Sequence, residues 1–140
     1  MIFLTRGRFP LLRFDRGELF PRALEEWCAE RGVRGGVVVC GIGMLERADL
    51  GVFDGSTYSH RVFDEPAEVL SLQGNLSMRD GVPFAHVHAS LGLHDFSAVG
   101  GHLFGGTVAV TLEVLFHDTG EDLERARSEG PFRPLEAAKS

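Results

Sequence analysis

The chain has 140 residues, 44% of them hydrophobic and 24% charged, and a formal net charge of −6, a balance that fits one globular domain with a real core and excludes a disordered chain. No apolar run approaches the roughly 20 residues needed to span a bilayer. A net negative charge works against binding the phosphate backbone, where clustered Lys and Arg must displace counterions.

The N-terminal stretch Met1-Ile2-Phe3-Leu4-Thr5-Arg6 lacks the order of charged region, apolar core and cleavage site that marks a secretory signal, so a cytoplasmic location is the expectation. Phe9 to Phe14 reads as a strand, ended by the turn Asp15-Arg16-Gly17. Leu19, Phe20, Ala23, Leu24, Trp27 and Cys28 then share one face at a 3.6-residue period, which predicts an amphipathic helix. Pro21 falls in its first turn and Gly32 caps its C-terminus. Cys28 on this helix and Cys40 in the next apolar run read as small buried hydrophobes with no disulfide between them.

From Gly35 the pattern changes to strands. Gly36 to Ile42, Ala48 to Phe53, Val69 to Leu76, Phe84 to Leu91 and Thr107 to Phe116 are apolar runs bounded by turn residues. Asp54-Gly55 and Asp80-Gly81 predict hairpins, and Gly41-Ile42-Gly43 a bend between strands. One early helix followed by turn-linked strands argues for an α+β fold with a largely antiparallel sheet. Residues 1–117 form the expected domain. Residues 118–140 form a charged tail with Pro131 and Pro134, in which Glu121 to Arg127 is expected as a short helix and the rest as partly disordered.

The histidines are unevenly spread, with His86, His88, His94 and His102 inside 17 positions. In a strand, His86 and His88 point to the same face with Cα atoms about 6–7 Å apart, while Ala85, Val87, Ala89 and Leu91 face the core. Two imidazoles so placed can converge on one ion. The competing reading is a pair of partly exposed or hydrogen-bonded histidines without metal. His102 follows Gly100-Gly101, which permits close backbone approach, and would complete a three-histidine set with a coordination position left open. Imidazole suits several divalent metals, zinc among them. His94 is a candidate fourth ligand, Asp95 or Glu113 a candidate partner orienting an imidazole, and His60 and His117 read as surface or strand-end residues.

Several blocks together resemble a known family. Gly35-Gly36-Val37-Val38 through Gly43, Glu68-Val69-Leu70-Ser71-Leu72-Gln73-Gly74-Asn75, Pro83-Phe84-Ala85-His86-Val87-His88, Gly100-Gly101-His102-Leu103 and Thr111-Leu112-Glu113-Val114 are similar, in order, to the PPC (plants and prokaryotes conserved) domain. The resemblance implies an antiparallel α+β domain that assembles as a homotrimer. It also implies that His86, His88 and His102 match the histidine positions of prokaryotic members, where a bound divalent metal such as zinc is expected. In plants this domain accompanies AT-hooks in nuclear DNA-binding proteins, so a DNA-associated role is the alternative expectation. The nearest string here, Arg6-Gly7-Arg8-Phe9-Pro10, has its Arg-Gly-Arg-Pro core interrupted by Phe9. The leading expectation is a trimeric metal-binding domain that binds a small molecule or assists a reaction at the open position.

Overall fold

The computed structural model describes residues 1–139. Alternating buried and exposed residues organise most of them into strands: β1 (Ile2–Phe3), β2 (Leu11–Asp15), β3 (Leu19–Phe20), β4 (Gly36–Phe53), β5 (Tyr58–Phe63), β6 (Ala67–Arg79), β7 (Val82–Gly92), β8 (Ala98–Asp118), β9 (Leu123–Arg125) and β10 (Leu135–Ala137). The helix α1 spans Arg22–Arg31. Pairing is antiparallel except between β6 and β9, which meet in parallel at Met78 and Glu124. β4 pairs with β6 and β8, and β7 pairs with the same two strands, so these four close into a ring around one core. The expected α+β architecture, a largely antiparallel sheet with one helix on it, is what the chain adopts.

Side-chain period explains the core. Ala85, Val87, Ala89 and Leu91 of β7 are buried, as are Leu72 and Leu76 of β6 and Leu103, Val108, Leu112, Val114 and Phe116 of β8. Each fully buried Leu or Phe contributes about 1.5–3 kcal/mol of transfer free energy. The helix adds Leu24, Trp27 and Cys28 from one face, and Trp27 meets Phe116 edge-on at 5.7 Å between ring centroids. Gly32 ends the helix in the left-handed conformation (φ 66°), with its N–H donated to the Ala29 carbonyl.

Four local expectations are corrected. Leu19 and Phe20 belong to a strand beside β8, opposite Thr107 and Gly106, and the helix starts only after Pro21. The residue before a proline is driven out of helical geometry, so Phe20 could not continue the turn. β4 runs unbroken through Gly41-Ile42-Gly43, where two strands joined by a bend were expected. Irregularities in its pairing with β8 absorb the curvature, and a Cβ on Gly43 would stand 2.1 Å from the Thr111 carbonyl oxygen, so only glycine admits that approach. Cys40 is exposed, not buried. Finally, Leu123–Arg125 within the expected tail helix is a strand. That segment lacks a continuous apolar helical face, and Leu123 instead packs over Gly35 while Asp122 pairs with Arg34 at 2.8 Å.

Asp80-Gly81 turns β6 into β7 with positive φ at both residues (50° and 84°), the backbone that a two-residue hairpin of this twist needs. This hairpin sets the register that carries the histidines. Asn75 stands opposite His86, Gln73 opposite His88, and His88 opposite His102 across the next pair.

Candidate metal centre

His86 and His88 project from the same face of β7, and His102 from the adjoining position of β8. Glycines let the strands come this close. A Cβ on Gly74 would lie 2.1 Å from the His86 carbonyl oxygen, and one on Gly101 would lie 2.5 Å from that of Gly51. β8 is thereby drawn in between β7 and β4 at the residue that precedes His102.

The result is a group of three histidines, each offering one nitrogen, with those nitrogens all within 4.8 Å of one another. His86 Nε2 and His88 Nε2 are 3.1 Å apart. A tetrahedral ion with bonds of 2.0–2.1 Å needs ligating nitrogens about 3.3 Å apart, a spacing that small ring movements reach from here. His102 is 9% exposed, and its Nδ1 is buried without a hydrogen-bond partner. Such an orphan costs about 1–3 kcal/mol unless something satisfies it.

The electrostatics favour ligand character. Burial pushes the His86 ring down to about 4, with the Arg125 guanidinium and then His88 adding to the effect. Burial also brings His102 down to about 4, reinforced by His86 and His88. Both rings are therefore neutral at pH 7, the form in which an imidazole donates to a metal. The donor set fits a divalent cation.

One contact does not come from the predicted set. Arg125, on β9, donates from Nη2 to Asn75 Oδ1 and to His86 Nδ1 (3.2 Å), and from Nη1 to the Arg133 carbonyl (3.3 Å). A guanidinium has no acceptor, so His86 Nδ1 receives this bond through its lone pair and the ring proton sits on Nε2, facing His88. Ligation through His86 Nε2 would require that proton on Nδ1, and Arg125 would then have to let go. No sequence motif marks Arg125; it reaches the site because β9 pairs with β6 at Met78, from where its side chain extends to Asn75 and His86.

The other sequence candidates lie elsewhere. His94 and Asp95 are exposed in the turn between β7 and β8, where Asp95 Oδ1 accepts from the Ser97 N–H at 2.9 Å. Glu113 faces Arg13 and Ile42 at the far part of β8. Among the described residues the group does not extend to any of the three. His60 pairs with Asp49 at 3.1 Å and stacks near Phe104, which in turn contacts His102 at 4.3 Å between centroids. His117 stacks on Phe9 at 4.2 Å.

A cavity of about 590 Å³ opens beside the histidines, lined by His86, His102, Phe84, Phe104, Arg125 and Phe132 among others. Glu25 of α1 reaches its wall, its carboxylate accepting the Ala85 N–H at 2.9 Å, and burial holds that carboxyl above its ordinary value.

Residues 2–119 match the family model of the Plants and Prokaryotes Conserved (PCC) domain. The chain belongs to this family. Solved PCC-type structures follow it closely. A plant- and prokaryote-conserved protein of Pyrococcus horikoshii is 32% identical, with a TM-score of 0.84 over 99% of this chain and 97% of its own. A metal-containing protein of Archaeoglobus fulgidus is 36% identical, with a TM-score of 0.80 over 94% and 96%. A presumed DNA-binding protein of Bacteroides thetaiotaomicron shares the fold at 23% identity, with a TM-score of 0.88 over 97% and 96%. No curated protein matches the chain. The matched region takes in every strand of the ring, and the β9–β10 arm that carries Arg125 lies beyond the PCC match.

Proposed function

We propose that this PCC domain binds one divalent metal, zinc first among candidates, through His86, His88 and His102, and presents it to a small molecule in the adjoining cavity. The observation that carries this reading is the convergence of three imidazoles, two of them (His86 and His102) held neutral by burial, with the buried Nδ1 of His102 unpartnered among the described residues. The 36% identity to the metal-containing protein of Archaeoglobus fulgidus supports it. A three-histidine ion keeps a position open and supplies Lewis-acid activation of a carbonyl or of water when bound. The chain's own contributions are distinct. β7 and β8 fix the imidazoles, Phe84 and Phe104 line the cavity side, and Arg125 holds the His86 proton on Nε2.

The domain is further proposed to act as a homotrimer, in line with what the PPC resemblance implies and with the exposed apolar residues Val37, Val39 and Ile42 of β4 and Val110 of β8. A DNA-associated role has less support. The net charge is −6, and Arg13, Arg22, Arg34 and Arg133 are each paired with a carboxylate at 2.8–2.9 Å. The Arg6-Gly7-Arg8-Phe9 string is tied to the end of β8 by the Asp118 N–H bond to the Arg8 carbonyl and by the Phe9–His117 stack.

Elemental analysis of protein purified without chelator or affinity tag tests the main reading, beside a His86→Ala/His88→Ala variant with the oligomer mass recorded. Near-stoichiometric metal lost in the variant is expected. Equal metal content in both samples, or none in either, sinks it.

A further inference from the structure

The cavity wall carries a positive charge that the metal reading does not use. Arg125 is 8% exposed, and no carboxylate lies within ion-pair distance of it among the described residues. Of its five N–H groups, three are taken by Asn75, His86 and the Arg133 carbonyl; Nε is buried with no partner. A buried charge without a counterion costs several kcal/mol, so a site built this way is built for something that arrives. Arg79 also lines the cavity, with no carboxylate partner among the described residues, its guanidinium over the Phe84 ring at 5.0 Å; Arg125 lies near the same ring at 6.0 Å. By contrast, the other cavity arginines are neutralised, Arg22 by Glu26 and Arg133 by Asp80. Burial and then the nearby Arg79 lower the Arg125 guanidinium below its ordinary value, the direction expected where two cations face each other with no anion between them.

The rest of the wall defines what the anion is attached to. Phe53, Phe84, Phe104 and Phe132 give it an aromatic lining, and Glu25 occupies another part of the wall, on α1. A planar carboxylate is satisfied by one guanidinium or a pair of them, and the aromatic lining suits an apolar body attached to it.

We propose that the cavity takes a small organic acid with an apolar or aromatic body, its carboxylate held by Arg125 with Arg79 behind it and its body against the phenylalanines, next to the three histidines. This deepens the metal reading and rests on it only for what stands beside the ligand; Arg125 and its charge belong to the protein alone. Were His86 to hold a metal through Nε2, its Nδ1 would carry the proton and one Arg125 N–H would be freed, so metal and carboxylate would bind better together than apart.

Benzoate and its uncharged counterpart benzamide serve as probes, with binding followed by calorimetry and by thermal shift on metal-loaded and chelator-treated full chain. Saturable benzoate binding at millimolar concentration is expected, with benzamide and the Arg125→Gln variant each weaker by about tenfold or more. Arg79→Gln should lose less. If Arg125→Gln does not fold, Arg125→Lys, which keeps the charge and loses the fork, must weaken benzoate. No benzoate binding to the wild-type chain overturns the proposal, as does unchanged affinity in the folded Arg125 variant. So does a change in oligomer mass on Arg125→Gln without benzoate binding, because Arg125 then meets a carboxylate of another copy. Metal content is read on the same samples. Benzoate binding by a chain that takes up no metal leaves this inference standing and removes the metal reading; metal without benzoate binding does the reverse.

Discussion

His88 is the exposed member of the three histidines, and His86 and His102 are the ones that burial holds neutral. Exposure makes His88 the safest to remove: His88→Ala deletes one nitrogen and leaves the core face of β7 untouched. We expect the fold and melting temperature of the metal-free protein to survive, while metal affinity falls by more than the roughly 10–100-fold usual for losing a mere supporting partner. Competition against a chromophoric chelator measures it, and an unchanged affinity would remove His88 from the ligand set. Arg125 makes the opposite prediction. A guanidinium facing His86 Nδ1 opposes the Nδ1–H tautomer that ligation through Nε2 requires, whereas the glutamine in Arg125→Gln offers an acceptor for that proton. The variant should therefore bind metal at least as tightly as the wild type in the same chelator competition, even as it loses benzoate. A weaker metal site would mean that Arg125 supports His86 and does not restrain it. The three histidines were legible because two obey the two-residue strand period and the third follows a Gly-Gly pair. Arg125 was not, because its place depends on a parallel contact between β9 and β6 that no local pattern encodes.

At the level of elements, the sequence pattern found the helix, the two hairpins and the alternation of β7, and it failed on strand length. β4 and β8 run 18 and 21 residues, yet each contains glycines and polar residues that look like breaks when read locally. Two of those glycines, Gly43 and Gly101, are contact points where the neighbouring backbone leaves no room for a Cβ. The consequence is testable at Gly101. Gly101→Ala places a Cβ against the Gly51 carbonyl, so β4 and β8 must separate just before His102. Overpacking of this kind costs about 1–3 kcal/mol. We expect a lower denaturation midpoint and a loss of metal affinity together. A variant as stable as the wild type with metal intact would show that the strands part without moving His102. The helix supplies a pH-dependent counterpart through Glu25, whose carboxyl burial holds above the ordinary value while its oxygen accepts the Ala85 N–H. A raised carboxyl binds more protons folded than unfolded, so this group's favourable contribution is present below its unfolded pKa and is lost as pH rises through the folded one. Glu25→Gln keeps the acceptor and removes the ionisation. Its melting temperature should match the wild type in acid and exceed it at neutral pH; the reverse order would mean that the ionised carboxylate is stabilised by a partner in the cavity.

Across the whole molecule, the ring of β4, β6, β7 and β8 carries the histidines on strands locked by pairing on both sides, and α1 closes one flank. We expect such a scaffold to fold without metal, because its buried core is built of leucines, valines and phenylalanines. On the proposed reading the ion would then act as a ligand of the native state and not as a nucleus of folding, which sets a quantitative expectation. A ligand bound only by the folded chain stabilises it by RT ln(1 + [L]/Kd), about 2.7 kcal/mol at a hundredfold excess over Kd. At this chain length that corresponds to a rise of roughly 5–15 °C in melting temperature. The chelator-treated protein should therefore remain folded, with a cooperative transition, and gain that increment on titration with zinc. His86→Ala/His88→Ala should melt near the metal-free wild type and show no gain. A chain that unfolds outright on chelation would instead make the metal structural, and a wild type indifferent to zinc would leave the three histidines without a ligand to converge on.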